Sequence, residues 1–345
     1  MHNNYFPELE KAAKELRKKF AWMKLAKLET ADLEKALKDE YGIEIDRKAL
    51  SLDPELRHVR SFFKKESSIL FIKSGLSPAQ ENFLLGRELG FQLLKFKERP
   101  FETRILKIDS FEKLLNNFKA SYFSAALLID EQMILKDIRS VARENVWKPS
   151  LLTNLLDKYN VTPEMMTQRV TNIFPHHFDI EDIFFLRLSS SKDLSRIKMT
   201  KELHLSQLHN PYNNELNEHY CNKWVSVNVL KGLRVKKIPN SQGAIWADAQ
   251  ISKYYGTERE YFCFSIASPA FHNPEKTISV TLGFLIDQKL KGIVNFLNDP
   301  SIKSRTVNTT CERCPIVDCE ARVAPPIQFE KEQQKNLIGA RLGEL

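Results

Sequence analysis

Ser77-Pro-Ala-Gln-Glu-Asn-Phe-Leu-Leu-Gly-Arg-Glu-Leu-Gly-Phe-Gln-Leu-Leu94 carries the clearest local structural signal in this chain of 345 residues. Ser77 stands as an N-cap, Pro78 fits the first helical position, and Gln80 sits where its side chain can return to the cap. The apolar residues Phe83, Leu84, Leu85, Leu89, Phe91, Leu93 and Leu94 then cover too much of the helix for a surface element, so the spacing predicts a buried scaffold helix. Around it, apolar periodicity predicts an amphipathic helix over 7–27 and a second over 31–41, stopped at Gly42 by a left-handed cap. Strand patterns follow at 43–45 and 67–73. Further helices are expected at 111–128 (buried), 140–145 (short and polar), and 150–159 with 162–173 as a helical hairpin.

Beyond Pro175 the texture changes. Residues 182–188, 224–230, 244–251, 261–267 and 276–287 are rich in β-branched and aromatic side chains, as strands are. The chain therefore reads as α+β: helices over 1–42, a mainly helical domain over 43–175, a domain of antiparallel sheet over 176–326, and a tail over 327–345. A GAF- or PAS-like sheet flanked by helices is the expected form of the third segment.

A composition of 42% hydrophobic and 28% charged residues argues against general disorder. No apolar run approaches the roughly 20 residues needed to cross a bilayer, and no export signal opens the chain. The cytoplasm is the expected compartment, where clustered cysteines hold metals more often than disulfides. The net charge of +8 suggests an anionic partner. The first 40 residues do not supply it, because their nine Lys or Arg are set against eight Asp or Glu. Lys231, Arg234, Lys236 and Lys237 form a denser spot, either a phosphate-binding patch or a lysine-protected strand edge.

Three of the five cysteines, Cys311, Cys314 and Cys319, fall in Thr-Thr-Cys-Glu-Arg-Cys-Pro-Ile-Val-Asp-Cys-Glu-Ala-Arg-Val-Ala-Pro-Pro. Thiolates at this spacing can converge on one soft metal. Cys221, in the polar stretch His-Tyr-Cys-Asn-Lys-Trp, is the expected fourth ligand, whereas Cys263 alternates within an apolar strand and belongs in the core. The adjacent His176 and His177 read as exposed linker residues.

The helix over 77–94 and its neighbours resemble the ImmA/IrrE family, whose equivalent helix carries His-Glu-x-Gly-His. There two imidazoles hold zinc and the Glu activates its water. Here the motif reads Arg87-Glu88-Leu89-Gly90-Phe91, and Lys119-Ala-Ser-Tyr-Phe-Ser-Ala-Ala-Leu-Leu128 resembles the later helix with Lys119 at the acidic ligand position. The resemblance extends to Val161-Thr-Pro-Glu-Met-Met-Thr-Gln-Arg-Val-Thr-Asn172. It implies an ImmA/IrrE-like domain over 43–175 without peptidase activity, in which Glu88 is vestigial. Arg87 and Lys119 would repel a dication, with Arg87 free to pair with Glu88.

Cys221-Asn-Lys-Trp224 and the cysteine run to Pro326 resemble the C-terminal domain of the short-chain fatty acyl-CoA responsive transcriptional regulators. That resemblance implies a [4Fe-4S] cluster on Cys221, Cys311, Cys314 and Cys319, with structural zinc as the alternative. It also implies a short-chain acyl-CoA ligand, for whose phosphates Arg234, Lys236 and Lys237 are candidates. The helix-turn-helix of those regulators has no counterpart before residue 40, so DNA contact is expected only through a separate or absent reader, with the first helix as its connector. A homo-oligomeric sensor is the preferred reading. The rivals are a metallopeptidase with altered ligands, recruiting metal to Glu88 with His58 or another remote histidine, and a scaffold module with structural zinc.

Overall fold

The computed structural model describes residues 4–100, 110–191, 193–205, 218–235, 244–270 and 276–343. They form two compact units, Met1–Val141 with Ser150–Phe178, and Ala142–Pro149 with Asp179–Leu345. No described helix is long and apolar enough to cross a membrane.

The first unit runs α1 (Pro7–Lys19), α2 (Thr30–Tyr41), β1 (Glu44–Asp46), α3 (Ala49–Leu52), β2 (Ser61–Lys64), β3 (Ile69–Ile72), α4 (Pro78–Leu93), α5 (Phe111–Leu128), α6 (Glu131–Ala142), α7 (Ser150–Tyr159) and α8 (Pro163–Phe178). Its small sheet has β3 in the middle, parallel to β1 and antiparallel to β2. The capping box forms as expected: Ser77 accepts from the Gln80 N–H, and Gln80 accepts from that of Ser77. Gly42 closes α2 at φ +62°, a conformation that glycine adopts without steric cost.

α4 and α5 pack closely because glycine faces the contact. A Cβ on Gly90 would lie 2.9 Å from the Phe123 ring, and one on Gly86 would lie 2.5 Å from the Ser124 hydroxyl. A buried polar knot joins three helices across this layer. Arg169 of α8 forms a two-pronged ion pair with Glu10 of α1, Tyr122 of α5 donates to the same carboxylate at 2.6 Å, and Arg169 Nε reaches the Ile129 carbonyl at 3.2 Å. Burial opposes the Arg169 charge, and the Glu10 carboxylate more than reverses that, so its pKa rises. The amphipathic first helix thus buries its apolar face, including Leu9, Ala13 and Leu16, in this unit's core.

Several boundaries differ from the sequence expectation. α1 stops at Lys19 rather than residue 27, because buried Arg17 gathers the carbonyls of Trp22, Leu25 and Leu127 and folds the chain back. The short helix expected at 140–145 is instead the end of the longer α6, which Asp130 caps through the Met133 N–H. α8 continues through Pro175 to Phe178. His176 is exposed as expected and His177 half-buried, but both lie on α8 rather than in a linker: His176 stacks on Tyr5 with centroids 4.0 Å apart, and His177 Nε2 lies 2.7 Å from Glu131 Oε1.

The second unit runs β4 (Ile183–Ser190), β5 (Ile197–His204), α9 (Val225–Val235), β6 (Trp246–Tyr254), β7 (Glu260–Pro269), β8 (Thr277–Leu285), α10 (Gln288–Ile293), β9 (Lys303–Val307) and α11 (Ile327–Gly343). The sheet order is β5-β4-β8-β7-β6-β9. It is mixed rather than wholly antiparallel, because β9 joins β6 in parallel. The strand expected at 224–230 is α9. Its valines suit a strand by propensity, yet Val225, Val229, Leu230 and Leu233 form one helical stripe buried in the core with Phe184, Leu186 and Cys263, and burial overrides intrinsic preference.

Removing one partner of the buried Glu10–Arg169 pair leaves a charge without its counter-charge, at a cost of about 3–5 kcal/mol. Glu10→Gln is expected to lower the stability measured by urea unfolding on that scale. Lys14→Ala, at an exposed position of the same helix, should stay within about 0.5 kcal/mol of the parent.

Candidate functional site

In the first unit, Arg87, Glu88 and Phe91 lie on α4, all buried. Glu88 is not paired directly with Arg87. Arg99, in the connector after α4, donates Nη1 to both carboxylate oxygens, at 2.9 and 3.1 Å. Gln92, one turn along α4, donates to Oε1 at 2.6 Å. The Arg99 guanidinium also lies 4.3 Å from the centroid of Phe63 and 5.4 Å from that of Phe91, an arrangement favoured by the negative ring face. Asn116 of α5 holds the connector by donating to the Glu98 carbonyl at 2.9 Å.

Arg87 turns to Asn117 of α5, donating Nη2 at 2.9 Å, and its guanidinium lies 5.6 Å from the Phe91 centroid. Burial pulls its pKa down to about 10, with Glu88 opposing the shift and Arg60 and Arg99 adding to it. Lys119 on α5 is half-buried and His58 is exposed. Both carboxylate oxygens of Glu88 therefore accept hydrogen bonds, Oε1 from Gln92 and Arg99 and Oε2 from Arg99. Arg99 carries no mark in the sequence beyond its place before Pro100, which favours an extended backbone.

In the second unit the segment 218–224 folds onto the cysteine run. Tyr220 and Thr310 form an antiparallel bridge, flanked by Cys221 N–H to the Thr309 carbonyl at 3.1 Å and Cys311 N–H to the His219 carbonyl at 2.8 Å. Side chains fasten the same seam. Glu218 accepts from Thr310 at 2.8 Å and from Arg313 at 2.7 and 2.9 Å, Glu312 accepts from the His219 backbone and faces its ring Nδ1 at 2.7 Å, and Trp224 Nε1 donates to the Asn308 carbonyl at 2.9 Å.

Arg322 organises the cysteine loop from within by donating to the carbonyls of Cys311, Cys314, Ile316 and Ala324. Cys221, Cys311 and Cys314 are buried and Cys319 is half-buried. Burial raises the Cys221 thiol pKa, two backbone hydrogen bonds counter it, and the neighbouring sulfurs of Cys311 and Cys314 raise it further. Cys263 sits in β7 within the core, where burial pushes its pKa up to about 12.

The seam thus brings the backbone of Cys221 beside the run that carries Cys311 and Cys314, and thiolates are donors that suit a soft metal. Among the described residues, however, no group of three or more His, Cys, Asp or Glu side chains is arranged to hold a metal ion. The clasp residues Glu218, His219, Glu312 and Arg313 escaped the sequence reading because their partners lie more than 90 positions away.

Of the basic spot, Lys236 and Lys237 lie outside the described residues. Arg234 is near the end of α9 rather than on a strand edge, and donates Nη2 to the Ser191 carbonyl just beyond β4. At that end of the sheet Ser190 pairs with Thr277. The hydroxyls of Thr277 and Ser279 are buried there without a hydrogen-bond partner among the described residues.

With both sites described, comparison with known proteins places them. Residues 39–171 match the peptidase M78 family model described as the IrrE N-terminal-like domain, so this part of the chain is a domain of that kind. No curated protein matches the chain in sequence. Among solved structures, a Mycobacterium tuberculosis transcriptional regulator is similar in fold, with a TM-score of 0.62 at 18% identity, over 94% of this chain and 90% of that one.

Proposed function

We propose that this protein is the sensory part of a transcriptional regulator. In this reading the IrrE-like domain is a non-hydrolytic scaffold, and Cys221, Cys311, Cys314 and Cys319 hold a [4Fe-4S] cluster. The observation that carries it is the Tyr220–Thr310 bridge, which sets Cys221 beside the cysteine run. When bound, such a cluster would supply a one-electron or oxygen-sensitive signal. The chain's own residues supply the setting: the seam fixes the approach of Cys221, Arg322 shapes the loop and offsets thiolate charge, and burial of three sulfurs limits solvent access. The regulator-like fold supports the regulatory role, and the engagement of Glu88 by Arg99 supports the absence of hydrolysis. Structural zinc on the same four thiolates is the alternative.

The same reading assigns a short-chain acyl-CoA to the second unit. Arg234 would face its phosphates, while the Thr277 and Ser279 hydroxyls offer unused hydrogen bonds at the same end of the sheet. Ligand binding would act on an attached or partner DNA reader through unequal affinity for two arrangements.

Protein purified without oxygen is expected to carry iron and acid-labile sulfide with a broad visible absorbance. Cys221→Ser should lose them and Cys263→Ala should keep them; stoichiometric zinc without colour would favour the alternative. A panel of short-chain acyl-CoAs is expected to contain one that adds about 2.7 kcal/mol of stability at 100 times its dissociation constant. That gain should shrink in Arg234→Gln. No shift with any member would remove the ligand assignment.

A further inference from the structure

Arg87 is only 7% exposed, and among the described residues its Nε has no hydrogen-bond partner and its Nη2 reaches the neutral amide of Asn117. The adjacent carboxylate, Glu88, is already engaged by Arg99 and Gln92. Taking a guanidinium out of water without a counter-charge of its own is costly, and Arg60 and Arg99 add positive potential to the same place. Arg99 binds Glu88 through Nη1 alone, which leaves its Nε and Nη2 donors for another acceptor. Its side chain is 21% exposed, so it connects the buried arginine to solvent. Both guanidinium groups lie over one ring, that of Phe91.

From this juxtaposition we propose that the surroundings of Phe91 on α4 are an oxyanion site, in which Arg87 and Arg99 together hold a phosphate or carboxylate group. Two guanidinium groups around one carboxylate leave a surplus positive charge that one small anion would balance. Guanidinium forks match the oxygens of phosphate and carboxylate, and such charge-assisted bonds are about twice as strong as neutral ones. Asn117 orients Arg87, while Gln92 keeps Glu88 on α4 and limits its competition for Arg99. This assignment stands apart from the acyl-CoA reading, which concerns the other unit.

The test is titration of the full chain with inorganic phosphate, and separately with acetate, followed by calorimetry at an ionic strength held constant with sodium chloride. Saturable binding of phosphate or acetate is expected, and whichever binds tighter identifies the class of group recognised. Arg99→Gln, at a partly exposed position, and Arg87→Met should each weaken it by about tenfold or more. The proposal is overturned if neither anion binds above the chloride background, if both variants bind as well as the parent, or if Arg234→Gln alone abolishes binding.

Discussion

A two-residue antiparallel bridge, Tyr220 with Thr310, is the constraint on which the metal site proposed for the second unit depends. Closing a loop of that span costs chain entropy that grows slowly with length, and one bridge would not hold it alone. The Glu218–Arg313 pair, the His219–Glu312 contact and the Trp224–Asn308 hydrogen bond offset that cost at the same seam. The Cys221 thiol itself meets the backbone of Asn308 and Lys223, hydrogen bonds that lower its pKa against the effect of burial. The clasp is thus built largely by residues other than the proposed metal donors.

The first unit shows the same division. Gly86 and Gly90 bring α4 against α5, and the Glu10–Arg169–Tyr122 knot fixes α1 and α8 around them. This scaffold is independent of what α4 presents to its pocket. On the same helix Arg87 turns to Asn117 and Glu88 pairs with Arg99, contacts separate from the glycine packing. Scaffold residues answer to steric fit, whereas pocket residues answer to charge, so one can change without the other.

The same distinction explains what could be read from the sequence. α4 was legible because its cap, its first-turn proline and its apolar face lie within one short window. The core place of Cys263 followed from strand alternation, and its 3% exposure agrees. α9 was misread because Val225, Val227 and Val229 satisfy the strand pattern locally, and only the sheet beneath decides that Val225, Val229 and Leu233 shall align on a helix. β5 and β9 carry too much polar sequence to announce themselves, since β5 lies at a sheet edge and β9 is held at the other edge by parallel pairing with β6. Arg99 was invisible for a simpler reason: it is defined by an acceptor that the fold, rather than the neighbouring sequence, brings to it.

The central claim is that Cys221 shares one metal with Cys311, Cys314 and Cys319. X-ray absorption at the metal edge, on protein prepared without oxygen, tests it most directly. The account predicts a first shell made of sulfur alone, at about 2.3 Å for iron or zinc thiolates, which loses a sulfur neighbour or the metal itself in Cys221→Ser. A first shell of nitrogen or oxygen in the parent protein, or a sulfur shell unchanged by Cys221→Ser, would contradict it.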